Sequence, residues 1–266
     1  MEQIQNNRVI TDLYRENAQF PGIALDGSDV YLCWQRFVDR HDSLMASCRR
    51  GDEVVWEREI SDGGEVLHPV ILAHGGAIWY AWNEYARENW RILARCYRDG
   101  QWGGVLTVAS GEALFFPRLF TWQGKLHVIW TEQHKGSAAA VLCPLTEAGP
   151  GAAETVSAVG EAYRAGAAEG GDGNLYVAYD GFDGKQYKLF ARARTAAGWS
   201  KEIVVSQGED WASTPWIAAK PDGAVVGWYD YGYMAVYSVR SADLTVRDGA
   251  LTAVNPQCLK EGVDWY

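Results

Sequence analysis

The sequence predicts an all-β protein, a β-propeller of about five four-stranded blades. Two observations carry this prediction: a repeat close to 48 residues long, and short apolar runs separated by turns. The repeat copies start 48, 48, 48 and 50 residues apart, at Pro21, Pro69, Pro117, Ala165 and Pro215. A period of this length indicates stacked or circular repeats.

Each repeat contains four short apolar runs. In the second copy these runs are VILA, AIWYAW, RILARCY and VLTVA, and turn signals such as Gly75-Gly76 and Asp99-Gly100 separate them. Alternating apolar positions indicate β-strands, and glycine supplies the positive φ that tight hairpins need. Four antiparallel strands repeated around an axis form a propeller blade, because this arrangement leaves few sheet edges exposed.

The repeat organises all 266 residues into one predicted domain. Its copies span residues 21–68, 69–116, 117–164, 165–214 and 215–266. Residues 1–20 resemble the last strand of a repeat, so we expect them to close the ring by completing the final blade. Alternatively, residues 244–254 are themselves the fourth strand of the fifth copy. The molecule would then be an incomplete, truncated or six-blade-like ring, which a partner chain or an oligomer could close.

Composition excludes several classes of protein. The chain is 48 % hydrophobic with a formal net charge of -10, which disfavours disorder and a nucleic-acid partner. The first residues lack the pattern of a signal peptide, and no apolar run is long enough for a membrane helix. We therefore expect a cytoplasmic protein that binds no membrane. The five cysteines and five histidines lack metal-ligand spacing, so we expect buried reduced thiols, no metal and no cofactor.

The second strand of each repeat carries the most regular signature. Its aligned aromatic residues are interpreted as fillers between neighbouring sheets: Trp34, Trp82, Trp130, Tyr179 and Trp228. An acid follows in four of the five copies, two residues later or, for Asp180, one residue later. A further aromatic side chain comes next in four copies: Phe37, Tyr85, Phe182 and Tyr231.

These positions open on the same face as the connections between blades, which contain Phe20, His68, Phe116, Arg164 and Thr214. Propeller ligands enter where such side chains converge, so the sequence predicts a site at the axial mouth. The predicted ligand-binding residues are Arg36, Phe37, His68, Tyr85, Arg164, Asp180, Phe182 and Tyr231. Aromatic faces can pack on sugar rings while carboxylates accept hydroxyl protons, which favours a carbohydrate.

Three carboxylates are candidate catalytic groups: Glu84, Glu132 and Asp230. Glu84 and Glu132 occupy equivalent positions on adjacent blades and could act as an acid and base pair, as in glycosidases. Crowded like charges would raise the pKa of at least one carboxyl and supply a general acid. Arg36 and Arg164 would hold an anionic group of the substrate, and His68 would relay a proton.

The order of signals in each repeat resembles the BNR or Asp-box repeats of sialidase-like propellers. The resemblance rests on the turn and tryptophan in DGQW at 99–102 and AAGW at 196–199, and on the P-x-[IL]-A start. The repeat style is also similar to that of propeller lectins. The resemblance implies a propeller that recognises carbohydrate, either with turnover or as a lectin. A non-catalytic protein-interaction scaffold, or a fragment of a larger propeller protein, is the alternative.

Overall fold

The structure is a computed structural model that describes residues 17–61, 63–158, 160–232 and 237–263. These residues form five antiparallel sheets of consecutive strands and contain no helix, and therefore none that could cross a membrane. Five such sheets make a five-bladed β-propeller, so the predicted fold class is confirmed. The division into one domain with the repeat boundaries given above stays a prediction.

The first two sheets show the two forms that a blade takes. Sheet 1 contains β1 (Asn17–Asp26), β2 (Asp29–Val38), β3 (His41–Arg50) and β4 (Glu53–Glu59). Sheet 2 contains β5 (Glu65–His74), β6 (Ala77–Ala86), β7 (Asn89–Arg98), β8 (Gln101–Trp102) and β9 (Leu106–Gly111). In sheet 2 the outer position is shared by two short strands, because β8 and β9 both pair with β7.

The remaining sheets repeat these two forms. Sheet 3 contains β10 (Ala113–Trp122), β11 (Lys125–His134), β12 (Ser137–Thr146), β13 (Gly149–Pro150) and β14 (Glu154–Thr155). Sheet 4 contains β15 (Ala162–Glu169), β16 (Leu175–Phe182), β17 (Tyr187–Thr195), β18 (Gly198–Trp199) and β19 (Ile203–Val204). Sheet 5 contains β20 (Trp211–Lys220), β21 (Gly223–Tyr231), β22 (Tyr237–Arg247) and β23 (Ala250–Val263). Each sheet starts a few residues before the proline or alanine that marks the repeat in the sequence.

The core lies between neighbouring sheets. The five aligned aromatic residues of the second strands are all buried. Hydrophobic clusters join sheet 1 to sheet 2, sheet 2 to sheet 3, sheet 3 to sheet 4 and sheet 4 to sheet 5. Burial of large aromatic side chains is a main source of stability in such wedges. The second strands therefore have the structural role that the sequence predicted for them.

The outer strand of the fifth sheet comes from the C-terminal segment. β23 pairs along β22 as its neighbour, so the fifth copy supplies its own fourth strand, as in the alternative. Its bounds differ from the predicted 244–254, because residues 244–247 end the third strand β22 and the fourth strand is β23. Residues 17–20, which we expected in a closing strand, instead begin β1 and pair with β2. The rest of the predicted closing strand, residues 1–16, lies outside the described residues.

The boundary between the fifth and first sheets differs from the other four. Within the described residues no hydrophobic cluster joins these two sheets. On β1, Ile23 and Leu25 are each 65 % exposed, whereas their repeat equivalents Ile71 and Ala73 pack against sheet 1. Closure of the ring by a partner or an oligomer stays a prediction.

Candidate functional site at the propeller mouth

One face of the propeller collects the beginnings of the first strands and the ends of the second strands. We call it the mouth face. Every first strand lies at one end of its sheet and packs against the first strand of the neighbouring blade, as β1 does against β5 and β10 against β15. The first strands therefore surround the axis, and residues near their beginnings lie around the mouth.

A β-bulge interrupts every first strand at an equivalent point of the repeat. The register of each first strand shifts there against its second strand. The residue at each bulge has a positive φ of 51°, 50°, 56°, 39° and 53°, in the order Phe20, His68, Phe116, Arg164 and Thr214. We call these five residues the bulge ring. Proline follows four of them, and since proline has no N–H to donate to the ladder, its place in a strand is commonly a bulge.

Three aromatic side chains of the bulge ring touch one another. The ring centroids of Phe20 and His68 are 4.7 Å apart, and those of His68 and Phe116 are 4.6 Å apart. A positive φ is unusual for bulky residues, and backbone strain of this kind concentrates at binding sites. The bulges therefore hold an aromatic series across three blades at the beginning of the inner strands.

His68 is the titratable member of this series. Its Nδ1 lies 3.1 Å from Oδ1 of the buried Asn83, so Nδ1 carries the hydrogen and Nε2 is left as an acceptor. Desolvation by burial lowers the pKa of His68, and the nearby positive charge of Arg118 adds to this effect. The imidazole is therefore neutral at neutral pH and could accept a proton or a hydroxyl hydrogen bond at Nε2.

Arginines neutralise three of the predicted mouth carboxylates. Glu84 accepts a hydrogen bond from Arg91, which lies directly opposite on β7, and another from Trp82 Nε1 at 3.3 Å. Asp180 pairs with Arg164 of the bulge ring, whose Nε is 3.2 Å from Oδ1.

The third pair joins Asp230 and Arg240, whose Nε lies 2.7 Å from Oδ2. All three carboxylates are buried. A buried carboxylate held by arginine fixes neighbouring strands, and its charge is not free for acid–base chemistry. In blade 2 the acid two residues after the strand aromatic therefore has a structural explanation, because Glu84 accepts a hydrogen bond from the indole N–H of Trp82.

Burial, rather than crowding of like charges, perturbs the two aspartates. Desolvation raises the pKa of Asp180, and the charge of Arg164 opposes that rise. Desolvation also raises the pKa of Asp230, with a smaller contribution from Asp210 and an opposing one from Arg240. The expectation that mouth carboxylates raise each other's pKa is therefore not what the structure shows.

Glu132 differs from its repeat equivalent Glu84. It is exposed, and the residue opposite it on β12 is Ala139 rather than an arginine. Arg36, at the same point of the first blade, forms an ion pair with Glu59 at 3.2 Å. The structure thus does not bring Glu84 and Glu132 together as two free carboxylates.

Aromatic side chains cover much of the mouth face. Among the predicted residues, Phe37 and Tyr85 are exposed at the ends of β2 and β6. Six further rings form a continuous series of contacts on blades 4 and 5, which we call the aromatic belt: Tyr163, Phe182, Tyr187, Trp211, Tyr231 and Tyr237. Of these six rings, the repeat pattern predicted only Phe182 and Tyr231 as site residues. The other four lie at the beginning of a first or a third strand. Antiparallel pairing places these beginnings beside the end of a second strand.

The described residues contain no group of three His, Cys, Asp or Glu side chains arranged to hold a metal ion. Four cysteines are buried, and Cys258 is exposed. The absence of a cofactor stays a prediction.

Comparison with known proteins shows the fold and no family. No family model matches the sequence, and no curated protein matches it. Among solved structures, an α-L-arabinofuranosidase from Lactobacillus brevis matches with a TM-score of 0.55 and 11 % identity, covering 90 % of this chain and 94 % of that one. An α-L-arabinanase from Cellvibrio cellulosa matches with a TM-score of 0.51 and 12 % identity, covering 91 % and 95 %.

A puromycin-hydrolyzing peptidase from Mycobacterium tuberculosis also matches, with a TM-score of 0.60 and 16 % identity. The match covers 94 % of this chain but only 38 % of the peptidase. Identities at this level establish a shared propeller architecture and leave the activity open. The similarity to Asp-box repeats remains a resemblance of sequence.

Proposed function

We propose that this chain is a carbohydrate-recognising β-propeller that binds a glycan on its mouth face. The observation that carries the proposal is the concentration of exposed aromatic side chains there: Phe20, Phe37, Tyr85 and Trp211 are each more than a third exposed. Exposed rings grouped on one face are unusual for a free surface and are typical of ligand sites.

The chemistry of these rings suits a sugar. The apolar face of a pyranose or furanose ring can pack on an aromatic side chain, while its hydroxyl groups need donors and acceptors beside the ring. His68 Nε2 offers an acceptor next to Phe20 and Phe116, and the exposed carboxylate of Glu132 offers another on the same face.

Binding without hydrolysis fits the carboxylates better than catalysis does. Glycoside hydrolysis by the two-carboxylate route needs one free acid and one free base on either side of the scissile bond. Glu84, Asp180 and Asp230 are each paired with an arginine. Among the residues that the structure describes, no arginine pairs with the fourth candidate, Glu132. We therefore favour a lectin-like role over a glycan-active enzyme.

Two of the similar structures support the choice of ligand class. Both the arabinofuranosidase and the arabinanase carry names of carbohydrate-active enzymes, and both align over nearly their whole length. The competing function is a scaffold that binds a protein through the same face. The aromatic belt favours this candidate, because aromatic residues are also enriched in protein interfaces.

A glycan array followed by calorimetry with the best-bound glycan separates the two functions. We expect Trp211→Ala and Tyr85→Ala each to weaken binding at least about tenfold, since truncation of an aromatic anchor removes a large share of contact energy. Val54→Ala is the matched control, because Val54 is similarly exposed but lies on the outer strand β4. A silent array, or equal losses in the control, would exclude the glycan-binding function.

A further inference from the structure

A cleft with a strongly basic lining lies between the first two blades on the mouth face. Its volume is about 660 Å³. The tips of the β2–β3 and β6–β7 hairpins form two of its sides, and the connection from β4 to β5 forms a third. We call it the basic cleft, and its charged or ring-bearing lining residues are Arg40, His41, Glu65, Tyr85, Arg87 and Arg91. Three arginines and a histidine thus face one glutamate, in a chain whose net charge is -10.

Two of these arginines have no partner of their own. Within the described residues, the guanidinium groups of Arg40 and Arg87 form no hydrogen bond and no ion pair. Both residues lie in two-residue hairpin turns with positive φ, 64° for Arg40 and 52° for Arg87. Such positions normally favour glycine or asparagine, as Gly136 illustrates at the position of the third blade that is equivalent to Arg40, whereas Lys135 is the equivalent of Arg87. Because both unpaired guanidinium groups lie in the walls of one cleft, they are available to a ligand there.

The third arginine is held in place by the protein. Arg91 is anchored by Glu84, and its side chain remains 35 % exposed. Close packing supports this anchor, because a Cβ on Gly64 would lie 2.4 Å from Glu84 Cγ. Glycine at position 64 therefore lets the connecting backbone approach the Glu84–Arg91 pair and form part of the cleft wall.

We propose that the basic cleft binds the anionic group of an acidic glycan, a sugar that bears a carboxylate or a sulfate. The proposal rests on the glycan-binding function above and names the charge of its ligand. Arginine matches the planar oxygens of a carboxylate and the oxygens of a sulfate through paired N–H donors. Tyr85, at the same cleft, offers an exposed ring for the sugar itself. A free inorganic anion would share the oxyanion chemistry but would not need this ring.

Calorimetry on the full chain tests the proposal with three probes: oligogalacturonate, a neutral oligosaccharide of equal length, and inorganic sulfate. We expect the acidic oligosaccharide to bind more tightly than the other two. Because two charge-assisted contacts are lost, Arg40→Gln/Arg87→Gln should weaken its binding at least about tenfold. The affinity should also fall as salt is added, since both arginines are exposed and therefore screened.

Lys135→Gln is the matched control, because Lys135 is a cation at the equivalent hairpin tip of the third blade and has a positive φ of 47°. Unchanged binding in the arginine variant, or equal binding of the neutral oligosaccharide, overturns the proposal while leaving glycan binding at the mouth intact. Arginine-dependent binding of sulfate alone assigns the cleft to a free anion and overturns the glycan ligand. Loss of all sugar binding in Trp211→Ala, without any effect of the arginines, also contradicts it.

Discussion

The Glu84–Arg91 pair allows a sharp test of whether the mouth carboxylates are structural. Glu84 is buried, accepts hydrogen bonds from Arg91 and Trp82, and packs against Gly64. Glu84→Gln keeps the shape of the side chain and an acceptor for the indole but removes the charge. Its repeat equivalent Glu132 is exposed and lies opposite Ala139, so Glu132→Gln is a control of identical chemistry.

The magnitude follows from burial. Removing one partner of a fully buried ion pair costs about 3–5 kcal/mol, because the remaining charge is left without compensation. The Arg91 side chain is 35 % exposed, so water can hydrate part of its charge after the change. We therefore expect Glu84→Gln to lower the free energy of unfolding by about 2–3 kcal/mol, and Glu132→Gln to change it by less than about 0.5 kcal/mol.

Denaturant unfolding followed by tryptophan fluorescence measures both values, with the slope m as a check that the unfolded state is unchanged. For a chain of this size, the expected loss corresponds to a melting temperature about 4–10 °C lower for Glu84→Gln. Equal stability of Glu84→Gln and wild type would refute the structural role, and so would an equally large loss in Glu132→Gln. Loss of glycan binding with unchanged stability would instead give Glu84 a direct role in the site.

Two further predictions concern titratable groups. Burial lowers the pKa of His68 and His127 below the usual 6.5. Their contribution to the free energy of unfolding is fully present above pH 6.5, and it is lost as the pH falls from 6.5 through the lowered pKa values of the folded protein. The free energy of unfolding should therefore decrease on acidification from pH 7 to 5, and His68→Gln should flatten part of this decrease; an unchanged slope contradicts the burial of the neutral ring. Burial raises the pKa of Cys33 to about 12 and that of Cys143 to about 11, so in native protein a thiol reagent should modify Cys258 rapidly and the buried cysteines only on unfolding. Fast reaction of several thiols in native protein would contradict the core packing.

The repeat made the fold predictable from sequence. Apolar alternation and turn glycines recur every 48 residues, and each copy must bury its face against a neighbour. Ring closure was harder to predict, because both ends of the chain contain a segment that could serve as an outer strand. Only the pairing of β23 with β22 shows which one the fifth sheet uses.

The position of the candidate side chains on the mouth face was predictable, but their electrostatics were not. The spacing of Glu84, Asp180 and Asp230 from the strand aromatics placed them on the mouth face, because strand ends fall at fixed points of the repeat. Their arginine partners lie at three different kinds of position in the fold. Arg91 lies on the opposite strand, Arg164 at a bulge, and Arg240 two residues beyond Ser238, which lies opposite Asp230. The repeat does not encode such pairings, which depend on side-chain conformation and burial.

A crystal structure with a bound oligosaccharide would show whether the mouth face holds a glycan. Besides the mouth face, the described residues form a cleft of about 280 Å³ near Tyr31, Trp56 and Tyr97 on the opposite face. We expect sugar rings packed on the mouth aromatics, with Trp211 or Tyr85 in van der Waals contact. A glycan bound at the opposite face, with the mouth aromatics free of ligand, would contradict this expectation.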